Sequence, residues 1–311
     1  MRSIKKVRET FGREEITREE FWLQMKDAHL ALREHQQLIA SGEVSEIRIT
    51  ADELSVVTRD GTRLAWQPED LRTAPNVLVN TGEYEPLESA ALAKAAQGAR
   101  LICDIGANVG YYSVSWARML AEGGRVHSFE PVPTTYSRLM RNITLNGLED
   151  RVVANNCGLG DEAATLKMYV PRFSGSGAAS LKDLHQEEGS VEVEVPVDTL
   201  DGYFAANKLD AFDLAKIDVE GAELMVVRGG ANTIRTHKPL LFLELLRKWS
   251  KPFGYHPNDL IALLREWGYG CYAFADDALV PFDLMTDETV QTNFFFAHPD
   301  RHGAWLAAHG L

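Results

Sequence analysis

Residues 101–114, LICDIGANVGYYSV, constrain this chain more than any other stretch. A short apolar strand runs into Asp104, then a glycine-rich turn, then the start of a helix carrying Tyr112, Val114 and Trp116. Gly106 and Gly110 permit backbone dihedrals and a close approach that a side chain would forbid, and Asn108 is among the non-glycine residues that best tolerate the left-handed region. The helix that follows turns free N–H groups and the positive end of its dipole toward the same place. The unit is a strand, a ligand-holding loop and a helix.

The glycine spacing indicates which ligand. A dinucleotide loop needs G-x-G-x-x-G so that the backbone can touch a pyrophosphate. Counted from Gly106, the second and third positions hold Asn108 and Tyr111, so the pattern is instead D-x-G-x-N-x-G. A carboxylate beside a pyrophosphate is repelled, whereas Asp104 suits a ligand presenting an ammonium group. S-adenosylmethionine is such a ligand. The next strand, RVHSF at 125–129, ends at Glu130, about 20 residues after the loop, where a doubly wound fold places the carboxylate that takes ribose hydroxyls. The following strand ends near Asn156, Cys157 and Gly158, whose backbone is expected beside the adenine.

A second set of ionisable residues stands farther along, in FDLAKIDVEGAE at 212–223. Residues two apart on a strand share a face, so Lys216, Asp218 and Glu220 are expected to line one side of a pocket at the carboxyl end of a strand, where open parallel sheets bind ligands. Asp218 and Glu220 are the first candidates for a general base. Carboxylates are weak bases toward alcohols, so His237 and His256, in predicted loops near strand ends, compete for that role.

These stretches resemble the FkbM-type S-adenosylmethionine-dependent methyltransferases. The resemblance rests on EYEPLE (83–88), DIGANVGYY (104–112), FEPVP (129–133), RNITLNG (141–147), VDTLD (197–201), KIDVEGAE (216–223) and LFLEL (241–245), in the family's order over roughly residues 82–275. It implies an α/β class I methyltransferase fold with a Rossmann-like seven-stranded sheet. It also implies methyl transfer to a hydroxyl of a sugar or polyketide-type natural product. By the same resemblance Glu85 is a candidate contact to the amino-acid end of the cofactor, and Glu244 is the acidic residue ending the next strand. N-methylation on this fold, a nicotinamide-dependent oxidoreductase and a catalytically silent scaffold are the alternatives.

Composition narrows the partners. A net charge of −13 over 311 residues repels phosphate backbones, so a small-molecule acceptor is expected rather than nucleic acid. No apolar run approaches the roughly 20 residues of a membrane span, and the basic N-terminus lacks the apolar core of a secretory signal. Cys103, Cys157 and Cys271 are scattered, as in a reduced, cytoplasmic protein. No C-x-x-C spacing marks a metal, and none is expected, although Asp218, Glu220 and Glu244 are carboxylates of the kind that suit magnesium.

Residues 1–80 read as an extension on a catalytic domain at 81–311. A capping box of Thr17 and Glu20 opens a helix over 17–40, and a hairpin follows around Arg59-Asp60-Gly61. The extension could serve as a lid, a homodimer face or a stabiliser. Ser174-Gly175-Ser176-Gly177 reads as a mobile loop.

Overall fold

The computed structural model describes residues 3–172, 176–187 and 189–311. The 174–177 loop therefore lies largely outside the described residues. The chain forms strands β1 (Val44–Ile49), β2 (Leu54–Thr58), β3 (Arg63–Ala65), β4 (Leu101–Ile105), β5 (Arg125–Phe129), β6 (Val152–Asn155) and β7 (Gly158–Gly160). They are followed by β8 (Ala164–Pro171), β9 (Ser190–Thr199), β10 (Leu214–Ile217), β11 (Leu240–Glu244), β12 (Gly270–Ala275), β13 (Ala278–Pro281) and β14 (Asn293–Ala297).

The central sheet has the order β13-β12-β14-β11-β10-β4-β5-β6. Strands β6, β5, β4, β10 and β11 run parallel, and β14, β12 and β13 close the far edge antiparallel. The expected seven strands are thus eight. The extra one arises because Asp276 and Asp277, at φ 47° and 64°, make a two-residue turn with both central residues left-handed, which folds β13 back on β12. No glycine announces it.

Both faces of this sheet are covered by helices, and the period-2 alternation of its strands divides the core in two. Cys103, Ile105, Ala215, Ile217, Leu241, Leu243, Phe294 and Phe296 pack on one face. Ile102, Leu214, Leu240, Phe242, Phe295 and Ala297 pack on the other. Asp104 and Lys216 take the same alternation positions as this second set, so they stand among its apolar side chains. Chain order reverses between β4 and β10, which makes their carboxyl ends the switch point of the sheet.

The N-terminal segment forms a helix, Arg18–Leu38, that opens on the Thr17–Glu20 capping box and buries none of its side chains fully. A three-stranded sheet β1-β2-β3 follows, one strand more than the expected hairpin. This sheet is tied to the helix Pro133–Leu145. Asn142 Oδ1 accepts from Ala65 N–H (2.7 Å) while its Nδ2 donates to Val109 C=O (2.7 Å). Glu53 accepts from both Arg63 (2.6 Å) and Arg141 (2.7 Å). A second small sheet, β7-β9-β8, stands over the β4 and β10 strand ends and closes one side of the site. Among the described residues no helix is long and apolar enough to cross a membrane, and all three cysteines are free thiols.

Asn142 is fully buried and joins β3 to the glycine loop. Replacing it with leucine strands the part-buried Ala65 N–H and the buried Val109 C=O, the latter at about 1–3 kcal/mol and the former at less. Urea unfolding of Asn142→Leu should therefore show a loss of about 2 kcal/mol or more, and a loss under about 0.5 kcal/mol would mean that the joint carries little.

Candidate active site

The glycine loop has the backbone its sequence requires. Gly106, Asn108 and Gly110 sit at φ 78°, 50° and 85°. The N–H groups of Gly106 and Ala107 both donate to the Phe129 carbonyl (3.0 Å each), pinning the loop to the end of β5. A Cβ on Gly106 would lie 1.8 Å from the Asp218 carbonyl oxygen, and one on Gly110 would lie 2.4 Å from Leu139 Cδ1. Both glycines are thus demanded by neighbouring elements of the protein itself, and Gly106 lets the β10 strand end press against the loop.

Around this contact lies a cleft open to solvent. Its floor is the loop 106–109, Glu130 and Gly158, and its far wall is Lys216, Asp218 and Glu220. Tyr84, Tyr111 and Tyr112 supply an aromatic side, and Met168, Val195 and Val197 of the second small sheet supply an apolar one. None of these aromatic or apolar residues was singled out as a lining group in the sequence. The YY doublet that closes the DIGANVGYY motif was the available signal for Tyr111 and Tyr112.

Lys216 organises the polar side. Its ammonium donates to Asp218 Oδ2 (2.9 Å) and Gly106 C=O (3.2 Å), and stands 4.0 Å from Asp104 Oδ1. Burial pulls the lysine pKa down, but the fields of Asp218 and Asp104 outweigh it, and the net displacement is upward. Asp104, 1% exposed, is raised by burial and held back by Lys216. One of its oxygens accepts from Ser113 Oγ (2.5 Å), and the other, Oδ1, is buried with no hydrogen-bond partner. Glu85, held left-handed at φ 46°, accepts from Tyr112 OH (2.5 Å) and Asn293 Nδ2 (3.3 Å). It lies behind the wall of the cleft rather than in its lining, and burial raises its pKa.

Glu130 divides its carboxylate between two backbone donors, Asn108 N–H (3.0 Å) and Val132 N–H (2.9 Å), and still faces the cleft. Burial lifts its pKa to about 7. Asn156 is not a lining group. Its amide donates to the carbonyls of Glu130 (2.9 Å) and Pro131 (3.0 Å), shaping the turn that presents Glu130. Cys157 packs against the core instead, and only Gly158 of the expected trio reaches the cleft.

Strand β10 ends at Ile217, so Asp218 and Glu220 both lie in the following loop, and the expected shared strand face with Lys216 does not form. The loop nevertheless brings the carboxylates together. A carboxylate oxygen from each of Asp218, Glu220 and Glu244 lies within 4.8 Å of the others. Burial and the neighbouring Asp218 and Glu223 raise Glu220 to about 8, while burial, Asp218 and Glu220 raise Glu244. Glu223 holds the loop from beneath. It accepts from Val219 N–H (3.2 Å), Gly221 N–H (3.0 Å) and Tyr255 OH (3.1 Å), and burial lifts it to about 7.

The two histidines are corrected. His237 ends the helix Ala231–His237 and precedes β11, with its ring near Phe204, so it sits at the amino edge of the parallel strands, a strand length from the cleft. His256 is a helix cap whose Nδ1 accepts from Asn258 N–H (3.2 Å). Neither lines the cleft.

A family model described as the methyltransferase FkbM domain matches residues 104–271. Methyltransferase sdnD of Sordaria araneosa is 32% identical over 194 residues, covering 54% of this chain and 73% of that protein. The 31-O-demethyl-FK506 methyltransferase FkbM of Streptomyces tacrolimicus is 29% identical over 155 residues, 42% of this chain and 58% of the relative. Hexuronic acid methyltransferase AglP of Haloferax volcanii is 24% identical over 203 residues, 65% and 72% of the two chains. The chain belongs to the FkbM family of S-adenosylmethionine-dependent methyltransferases, and the nicotinamide-dependent alternative falls.

The residues present fit that cofactor. Glu130 lines the cleft and is an acceptor suited to ribose hydroxyls, whereas Asp104 lies behind the lining, buried beside Lys216, with its Oδ1 left without a hydrogen-bond donor. Glu130→Gln keeps the shape but removes the charge. By calorimetry S-adenosylhomocysteine should bind it about tenfold more weakly, the low end for a hydrogen bond to a charged group at roughly 1.5–3 kcal/mol. Unchanged affinity in a folded variant would remove Glu130 from the site.

The raised carboxyls also fix a pH response. A carboxyl whose folded pKa exceeds its ordinary value contributes stability that is present below the ordinary value and lost as pH rises through the folded one. His127 and His302, both lowered to about 4 by burial, act in the opposite sense but below 6.5. Between pH 6.5 and about 8 the ligand-free protein should therefore lose thermal stability as Glu220 ionises, more steeply than Glu220→Gln does. Melting curves of equal slope for the two proteins would contradict this.

Proposed function

We propose that this enzyme transfers the methyl group of S-adenosylmethionine to a hydroxyl of a small molecule, a sugar or a polyketide-type natural product. Support for the acceptor comes from relatives named for 31-O-demethyl-FK506 and for hexuronic acid, and from a cleft with aromatic and apolar walls beside a polar floor. The observation that carries the reading is the meeting of the glycine loop and the Asp218–Glu220–Glu244 carboxylates at one switch point.

When bound, S-adenosylmethionine supplies a methyl group already activated on a sulfonium, with a neutral thioether as leaving group. The protein's part is therefore alignment and removal of one proton. Glu220 is the residue we assign to the proton. It lines the cleft, its pKa near 8 lies in the working range, and its Oε2 is buried without a hydrogen-bond partner. Burial sets that basicity first, and the negative charge of Asp218 and Glu223 adds to it. Lys216, 2.9 Å from Asp218, keeps the cluster from becoming three uncompensated carboxylates.

The same three carboxylates could take a divalent cation. The base reading is preferred because an ammonium already occupies one oxygen of Asp218. A panel of sugars and hydroxylated natural products, scored by release of S-adenosylhomocysteine, identifies an acceptor. With it, kcat/KM should rise with pH through about 8. Glu220→Gln should lose that limb together with about 100-fold or more in rate, the usual scale of general-base catalysis. Exhaustive chelation should leave the wild-type rate intact. Activity abolished by EDTA and restored by magnesium would hand the carboxylates to a metal instead.

A further inference from the structure

S-adenosylmethionine ends in an α-amino acid, so its site must satisfy a carboxylate as well as an ammonium. The acidic residues lining the cleft are Glu130, Asp218 and Glu220, and the basic ones are Lys216 and Arg72. A carboxylate entering this company needs a cation that is not already engaged. Lys216 is engaged, since it is buried between Asp218, Asp104 and the Gly106 carbonyl.

Arg72 is not. Its side chain is exposed toward the cleft, and among the described residues it makes no hydrogen bond and no ion pair within 4 Å. Its field reaches Glu220, whose pKa it lowers against the larger effects of burial and Asp218. The backbone beneath it is fixed. Asn76 Nδ2 donates to the carbonyls of Asp70 (2.5 Å) and Gln67 (2.8 Å), and Asn76 Oδ1 accepts from Trp66 Nε1 (2.8 Å). The Asp70 carboxylate pairs with Arg138 on the helix Pro133–Leu145. This turn also lies at the tip of the glycine loop, because a Cβ on Gly177 would stand 3.0 Å from the Arg72 carbonyl oxygen and 3.2 Å from Asn108 Nδ2.

We propose that Arg72 binds the carboxylate of the cofactor's methionine end. A guanidinium presents two parallel N–H donors that match a carboxylate, and such pairs are among the stronger polar contacts in proteins. Asp218 would then face the ammonium while Arg72 faces the carboxylate, so that the amino acid lies across the loop between opposite charges. The N-terminal segment thereby contributes a cofactor contact. This rests on the methyl-donor reading.

The test uses two ligands that share the adenosine and differ in the amino-acid end: S-adenosylhomocysteine, and 5′-methylthioadenosine, which has no carboxylate. Calorimetry on the full chain should show Arg72→Gln binding S-adenosylhomocysteine about tenfold more weakly, with 5′-methylthioadenosine unchanged within about twofold. Arg72→Lys, which keeps the charge but not the fork, should recover part of the loss. Equal affinities of wild type and Arg72→Gln for S-adenosylhomocysteine, or an equal loss for both ligands, would overturn the assignment. A wild-type protein that binds neither ligand would overturn the methyl-donor reading itself, which is a different failure.

Discussion

The site depends on one buried cation. Parallel register sets Lys216 of β10 opposite Asp104 of β4 and Phe242 of β11, so lysine and aspartate share a face by the geometry of the ladder. A slip of one residue would send them to opposite faces. Removing either charge from water is expensive unless its partner goes with it. Lys216 is 5% exposed and Asp104 1% exposed, and the pair is affordable because Asp218 adds a second carboxylate at 2.9 Å. Folding the sheet in register and assembling the polar wall of the cleft are therefore the same event.

The glycine loop and the N-terminal segment are coupled to that wall through hydrogen bonds that have no local alternative. Asn142 spans from β3 to Val109, and Asn146 Oδ1 accepts from Arg63 N–H (2.9 Å) one helical turn later. Tyr84 and Tyr111 belong both to the cleft and to the apolar cluster of the N-terminal sheet, with ring centroids 4.9 Å apart. The N-terminal segment is thus packed on the same helix and the same aromatic side that shape the glycine loop. A disturbance of β3 is expected to be felt at Asn108 sooner than at the far edge of the central sheet.

What was legible in the sequence is what local chemistry determines. Thr17 and Glu20 make their capping box from four residues, and the apolar runs of β4, β5, β10, β11 and β14 carry their strands. The loop glycines take the φ values that their spacing suggests. What was not legible depends on contacts distant in the chain. Met168, Val195 and Val197 reach the cleft because a second sheet stands over it, and nothing in the alternation of β9 announces which neighbour it will have. His237 lies off the site for a reason available in principle. In a parallel sheet a residue that precedes its strand lies at the amino edge, so His237, just ahead of β11, could not reach a site built at the carboxyl edge.

The loop after β10 shows where the fold accepts strain. Glu220 and Gly221 are both left-handed, at φ 51° and 104°, and the first is unfavourable for a residue with a side chain, by about 1–3 kcal/mol. Gly221 cannot be exchanged freely, because a Cβ there would lie 2.5 Å from the Trp249 carbonyl oxygen. The conformation persists because the loop is held at both ends. Asp218 N–H donates to the Ile105 carbonyl (3.1 Å), and Glu223 receives the N–H groups of Val219 and Gly221. Ser180 adds a hydrogen bond to the Glu220 carbonyl (2.7 Å) from the segment between β8 and β9. A relaxed loop would let the Glu220 carboxyl turn to water, where its pKa would fall toward the ordinary value and its basicity with it. Held as it is, the carboxyl stays beside Asp218 and Glu244, and the strain is spent on basicity rather than on stability.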